Sequence, residues 1–389
     1  MVRMVATIMG GRKSTLKIIG RDLLEDHGHV AGMWISHQVM MATTEGIYGP
    51  KNPFRDDSAV QAFRKFEAGI LPLMTSPITS ITARRSIRAR ETLLKAYVTY
   101  YEKKGYEDPQ ASAFIRDRQQ YLSSEGLSLV DIARIEMLNS IALLSNTMPA
   151  TFWLVYHIMS DPTVLADCRE ELTKTLNMSG ERDCKDTTDA VRSIDIDYIR
   201  RHCPILLSTF KEVFRYHGVG ISSRVILEDH LLDGRFLLKK DNILLIPGEV
   251  QHQDRTVWGE DVDVFSHNRF VGGQGGSKGG RRLNPVAFRG FGGGSTLCPG
   301  RHFAATEIMA FAALFVLRFD ARPASGVRWS IPTVENTNMA TSIHQPDHDV
   351  EIEVRLLGNE RVKWEVKLSE SNKPMEVSAE DIAAIKTTV

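Results

Sequence analysis

The segment from Ser128 to Ser160 is the strongest constraint on what this chain can fold into. Apolar residues recur at helical spacing through Ile132, Ile135, Leu138, Ile141 and Leu144, and continue through Trp153, Val155 and Ile158 to a stop at Asp161-Pro162. At ~1.5 Å per residue such a helix is about 50 Å long, enough to cross a whole domain, and its apolar sides predict burial. Ser128 followed by Asp131 reads as an N-terminal cap. Pro149 lies inside the span, removes the backbone bond to the Ser145 carbonyl, and predicts a kink there. The polar pair Asn146-Thr147 sits at that kink. It can hold a ligand or ordered water, or its groups can be satisfied within the helix itself.

Around this span the chain reads as helices over 29–48, 57–73 and 82–104, and as a further helix from Pro204 to Gly218. It then switches to strand-like runs at Val225 and Leu227, Phe236 and Leu238, and Ile243 to Ile246. Turns at Asp233-Gly234 and Lys240-Asp241 separate them. A last apolar helix is expected from Arg301 to Phe319, with strands and turns from Trp329 to Val366. The fold class is therefore mainly α with small β-sheets.

Lys+Arg and Asp+Glu both number 48, so the formal charge is zero, which argues against a broadly basic nucleic-acid binder. No apolar run approaches the roughly 20 residues of a membrane-spanning helix, and the start lacks a signal-peptide core, so an intracellular chain is expected. Cys168, Cys184 and Cys203 read as inert thiols. The glycines of 272–280 read as a surface loop.

Cys298 is different. In Phe291-Gly-Gly-Gly294-Ser-Thr-Leu-Cys298-Pro-Gly300-Arg301 the glycines allow close backbone approach to something flat and bulky. Pro299 suits the first position of the helix that follows, which puts Cys298 at a helix start, a setting for a buried thiolate that Phe291 and Leu297 keep dry. Such a sulfur is a nucleophile or a metal ligand. No partner base is indicated, since His302 would point away, and no phosphate-loop spacing exists.

Phe-x-x-Gly-x-x-x-Cys-x-Gly resembles the haem-binding loop of the cytochrome P450 superfamily, and three further features stand in the order that family has them. Glu212-x-x-Arg215 is similar to its ExxR helix, Asn268-Arg269-Phe270 to the segment completing its Glu-Arg-Arg triad, and Asn146-Thr147 to its oxygen-activating position. The versions at 146–153 and 298–304 look most like the sterol 7α-hydroxylase and prostacyclin synthase branch and its fungal relatives.

The resemblance implies one cytochrome P450-like domain over 1–389, lacking the N-terminal part of the family fold. Within it, 28–127 is helical and 128–160 is the long central helix. The ExxR helix, small β elements and haem loop fill 204–301. The last helix and C-terminal strands occupy 302–366, and 367–389 is a tail.

It also implies haem b with Cys298 as the axial thiolate, in a cradle of Phe291, Gly294 and Gly300. Glu212, Arg215 and Arg269 would form a buried paired network, Arg224 would reach a haem propionate, and Asn146 and Thr147 would manage the protons that oxygen activation consumes. The stretches Gly218–Ser223 and Thr337–Ile343 would line the substrate cavity. The implied activity is a haem-thiolate monooxygenase oxidising an apolar sterol, terpenoid or polyketide in fungal secondary metabolism. Electrons would come from NADPH through NADPH-cytochrome P450 reductase, and O2 would be the co-substrate. Full-length relatives are commonly anchored to the endoplasmic reticulum. A reductase-independent isomerase or dehydratase of the prostacyclin synthase type, and an inactive truncated paralogue, are the alternatives.

Three departures stand out. Thr296 occupies a position where many members carry Arg or His for a propionate. Asn146 replaces the usual carboxylate beside the threonine, so the proton relay must be rebuilt. Fewer residues precede Asn146 than full-length members place there.

Overall fold

The computed structural model describes residues 29–178, 191–271, 285–357 except 325, 327 and 339, and 362–368 together with 377, 378 and 381. The glycine-rich 272–280 stretch, Cys184, the first 28 residues and most of the 367–389 tail lie outside them. The chain divides into two compact units. One holds Met1–Cys203, Phe303–Ala340 and Gln345–Ser371; the other holds Pro204–His302, Thr341–His344 and Asn372–Val389.

The first unit is a helix assembly with a small sheet. The Ala31–Tyr48 helix packs on the Thr147–Ser160 helix, and the Arg84–Glu102 helix packs on both Asp57–Ala68 and Leu129–Leu144. Helix Asp57–Ala68 shows why these elements form: Asp56 caps its start by accepting from Ser58 N at 2.8 Å, and Ala59, Val60, Phe63 and Phe66 make one buried stripe. The expected 57–73 helix breaks at Gly69, and a second helix covers Ile70–Thr75. A Cβ at Gly69 would lie 1.7 Å from Ser86 Oγ, so glycine lets the chain turn against the neighbouring helix. Trp34 contacts Phe311 and Phe315 of the Arg301–Arg318 helix, each at 6.4 Å between ring centroids. Strands His29–Val30, Glu351–Leu356 and Phe319–Pro323 form an antiparallel sheet in that spatial order, and Val191–Asp195 pairs in parallel with Lys363–Lys367.

The long central span is not one helix. It runs as Leu129–Leu144, is interrupted at Ser145-Asn146, and resumes as Thr147–Ser160. The cause is the missing donor at Pro149: without its bond to Ser145, the ladder opens one turn before the proline. Nor is it buried throughout. The second half is buried over Thr147–Met159, whereas Leu138 in the first half is 57% exposed. The Ser128 cap is present, accepting from Asp131 N at 3.2 Å.

In the second unit the Pro204–Tyr216 helix precedes a two-stranded antiparallel ribbon, Ile221–Val225 with Ile243–Pro247, and a hairpin, His230–Leu232 with Phe236–Leu238. Asp233 and Gly234 both have left-handed backbone at the hairpin tip, as an Asp-Gly turn requires.

Candidate haem-thiolate site

Glu212 and Arg215 lie three residues apart on the Pro204–Tyr216 helix and face inward, 0% and 1% exposed. Arg215 grips the carboxylate in a fork, Nε to Oε2 and Nη2 to Oε1, both at 2.8 Å. Arg269 Nε donates to the same Oε1 at 3.0 Å, as does Ser266 N. Further guanidinium protons reach backbone carbonyls. Arg215 Nη1 reaches the His252 carbonyl at 2.9 Å, and Arg269 Nη2 reaches the Asp261 and Val264 carbonyls. Asp261 bonds Arg269 Nη1 at 3.1 Å, and that hydrogen bond holds its carboxyl below the usual carboxylate range. The triad expected from sequence is therefore assembled and satisfied, which a buried charge cluster needs in order not to unfold its surroundings.

The same helix carries the cysteine loop on another face. Phe291 stacks on Phe214 at 4.5 Å and an interplanar angle of 28°, with Phe210 beyond at 6.3 Å. Cys298 N donates to Phe291 O at 2.9 Å and closes the loop. Gly292 has φ +76°, and a Cβ there would lie 2.7 Å from Thr296 O; only glycine fits. Gly294, φ +57°, has no atom within 4 Å of its Cβ position, so the loop presents bare backbone to open space there. A Cβ at Gly300 would stand 3.9 Å from Cys298 Sγ, so glycine keeps that flank of the sulfur clear.

Two expectations about the loop need correction. Cys298 is half-buried rather than buried, as are Phe291 and Leu297 beside it. The helix begins at Arg301, not Pro299, because Arg301 N reaches back to the Cys298 carbonyl at 3.4 Å in a tight turn.

Arg224, on the Ile221–Val225 strand, donates from Nη2 to Thr296 Oγ1 at 3.1 Å and from Nη1 to Ser223 O at 2.8 Å. The arginine assigned to a propionate and the position where relatives carry one are thus joined. Gly218 and Val219 pair with Ile343 and Ser342, with Val219 N to Ser342 O at 2.9 Å, so parts of the two expected cavity-wall segments run side by side.

Sequence reasoning missed the roles of His252, Arg301 and Asp381 in this unit, and the carboxylate that His302 meets. His252 is buried beneath Phe288, accepts from Arg289 N on Nε2 at 2.9 Å, and burial, helped by the Arg215 charge, pulls it down to about 4. Arg301 holds the Cys298 carbonyl through Nη1 at 3.2 Å and bonds Asp381 through Nη2 at 2.6 Å. His302 Nε2 stands 3.4 Å from the same carboxylate. Nothing local in the sequence marks Asp381, which lies 80 residues from Arg301 and acts through a long-range contact.

In the other unit, Thr147 Oγ1 donates to the Leu143 carbonyl at 2.9 Å and Thr151 Oγ1 to Thr147 O at 2.8 Å. Thr147 thus spends its proton within the helix, as one of the two readings of the kink required. Its neighbour Ser145 does not: its Oγ is buried without a hydrogen bond. Among the other cysteines, Cys168 and Cys203 are fully buried, and burial pushes the Cys203 thiol up to about 12.

The cytochrome P450 family profile matches residues 72–350. A cytochrome P450 monooxygenase, nodJ, of Hypoxylon pulicicidum is 36% identical over 344 residues, which is 87% of this chain and 65% of the relative. A cytochrome P450 monooxygenase of Gibberella zeae is 29% identical over 343 residues, 85% of this chain and 64% of the relative. Cholesterol 7-alpha-monooxygenase of Cricetulus griseus is 25% identical over 308 residues, 76% of this chain and 59% of the relative. The chain thus spans less than two thirds of the length of these relatives. The fold matches retinoic acid bound cyanobacterial CYP120A1 with a TM-score of 0.66 and 18% identity, covering 92% of this chain and 76% of that one. Among the described residues no helix is long and apolar enough to cross a membrane.

Proposed function

The chain belongs to the cytochrome P450 family, and on that premise we propose that it is a haem-thiolate monooxygenase acting on an apolar small molecule. The observation that carries this reading is the setting of Cys298. Its sulfur is half-buried, flanked by Gly300, and held in a glycine loop stacked through Phe291 on the Glu212–Arg215 helix. A half-buried cysteine beside bare backbone at Gly294 fits a flat macrocycle, since a Cβ at Gly300 would occupy the sulfur's flank at contact distance and none at Gly294 fills the open space.

In this reading Cys298 would hold the haem iron through its thiolate, and a thiolate-held haem would supply the electron density that favours cleavage of the O–O bond. The protein's own groups do the rest. Arg224 would offer charge to a propionate, with the Thr296 hydroxyl orienting its guanidinium. Glu212, Arg215 and Arg269 hold the loop rather than react. Thr147 and Asn146 line the kink and would handle protons once the Thr147 hydroxyl leaves its bond to the Leu143 carbonyl.

The name of the Cricetulus griseus relative supports a sterol among the substrate classes, with terpenoids and polyketides beside it in this reading; the fungal relatives support a fungal setting, within which the reading places the reaction in secondary metabolism. Electrons would pass from NADPH through a flavoprotein reductase of the cytochrome P450 type, and O2 would supply the inserted atom.

A reduced, CO-treated sample should show the red-shifted Soret band of a thiolate-ligated haem, and Cys298→Ser should abolish it. A band that survives the substitution removes Cys298 as ligand. The second reading, a reductase-independent isomerase or dehydratase, is favoured by one observation: Asn146 cannot donate a carboxylic proton. Turnover without NADPH and reductase would select it.

A further inference from the structure

We propose that Asp381, in the C-terminal segment, is a positioning residue for Cys298. Acting through Arg301, it anchors the backbone of the cysteine and balances a positive charge that would otherwise draw electron density from the sulfur. The proposal rests on the haem-thiolate reading above, and every residue it uses lies in the second compact unit.

The backbone of Cys298 is tied on both sides. Its N–H donates to the Phe291 carbonyl at 2.9 Å. Its carbonyl accepts twice from Arg301, from the backbone N at 3.4 Å and from Nη1 at 3.2 Å. The second bond needs a guanidinium that stays in place, and a long side chain loses rotamer freedom to stay there. Asp381 supplies the hold. Its Oδ1 accepts from Arg301 Nη2 at 2.6 Å and from Nε at 3.1 Å, and its Oδ2 stands 3.2 Å from the same Nε. The carboxylate thus takes the Nε–Nη2 edge and leaves Nη1 for the cysteine.

The carboxylate is fixed in turn. Ser378 Oγ donates to Oδ2 at 2.9 Å and accepts from Asp381 N at 3.2 Å, and Val377 N donates to Oδ2 at 3.3 Å. All three residues are buried. His302 Nε2 also faces the carboxylate, at 3.4 Å. Burial works against the ionised carboxyl, but the bonds from Arg301 and Ser378 and the His302 and Arg301 charges outweigh it and hold Asp381 below the usual range. Donors from two distant segments therefore converge on one buried negative charge, placed behind the arginine that touches Cys298.

A cation beside a cysteine stabilises the thiolate and makes it a weaker donor. Groups one step behind a metal ligand set its basicity in this way, and hydrogen bonding and charge around a haem ligand are levers on the iron. Asp381→Asn keeps the size of the side chain and an acceptor oxygen, yet leaves one more positive charge beside the cysteine loop. It separates the electrostatic role from the role of a clamp.

The test uses the whole chain loaded with haem, read by anaerobic spectroelectrochemical titration and by the reduced CO spectrum. Asp381→Asn should shift the haem reduction potential positive and lower the share of the thiolate-type CO band. Asp381→Glu should recover most of the wild-type potential. Arg301→Gln, which removes the opposite charge, should shift the potential negative. Combining Asp381→Asn with Arg301→Gln should bring it back close to wild type, whereas loss of a mere clamp would leave the double variant at least as perturbed as either single one. Equal potentials in Asp381→Asn and wild type, or a double variant that does not return, overturn the proposal and leave the haem reading standing. If Asp381→Asn loses its haem, Arg301→Gln against the double variant decides by the same criterion. Absence of a thiolate-type band in wild type sinks the haem reading, and the proposal with it.

Discussion

The Arg224 guanidinium donates to the Thr296 hydroxyl at 3.1 Å, across 72 residues of sequence. Thr296 Oγ1 donates in turn to Gly293 O at 3.0 Å, so the hydroxyl is oriented as an acceptor and the arginine is aimed rather than free. Arg224→Ala should therefore lower haem content several-fold, measured as pyridine haemochrome per protein. The stability of the haem-free chain should move by only about 0.5 kcal/mol, as for a surface side chain. Thr296→Ala should leave most of the haem bound, because the charge stays. Equal haem in Arg224→Ala and wild type would remove the propionate assignment.

Glu212 is the shared acceptor of two buried guanidinium groups, and its loss leaves Arg215 without an anion and Arg269 with only the exposed Asp261 carboxylate. Glu212→Ala should cost about 3–5 kcal/mol in urea unfolding, the range for breaking a buried pair. Adding Arg269→Ala to Glu212→Ala should cost less than the sum of the two singles, because the second change removes a charge the first had stranded. Strict additivity would mean that the three groups do not act as one network.

These two clusters differ in how far they could be read from sequence. The Glu212–Arg215 spacing places both on one helical face, while their burial and pairing followed only from the resemblance to the ExxR helix; the Asp233-Gly234 turn, by contrast, fixes its hairpin locally. Local periodicity was not enough at Ser145-Asn146. A proline inside an apolar run predicts a kink, but whether the ladder bends or breaks depends on what packs around it. The half-burial of Cys298, the imidazole of His252 under Phe288, and the Arg301–Asp381 pair all depend on contacts between distant segments. No spacing rule encodes such contacts.

Gly292 and Gly294 are two residues apart, both with left-handed backbone, and only one of them is crowded. Alanine at 294 has open space and should cost about 1–2 kcal/mol, the handedness penalty alone. Alanine at 292 adds a 2.7 Å approach to the Thr296 carbonyl and must displace the loop. Thermal melts with haem titration should therefore rank Gly292→Ala as the more damaging on both counts. The reverse order would mean that the loop relaxes around 292.

Glu307 lies in the core with its carboxyl 2.5 Å from Thr43 Oγ1, which also stands 2.9 Å from the Val39 carbonyl. One hydroxyl proton cannot serve two acceptors, so a protonated Glu307 donates to Thr43 and Thr43 donates to Val39. Burial pushes the Glu307 carboxyl up to about 8 against a reference of 4.5, with Thr43 opposing. The folded state then binds a proton that the unfolded state has released between those two values. Stability contributed by this residue is fully present below about pH 4.5, falls by at most ~1.4 kcal/mol per pH unit up to about 8, and is flat above. His157 and His252, buried neutral, act with the opposite sign in acid, so the useful quantity is the difference between wild type and Glu307→Gln. That difference should favour the variant increasingly as pH rises from 5 to 8 in urea titrations. A difference that does not change over this interval would mean that Glu307 is already ionised in the folded chain.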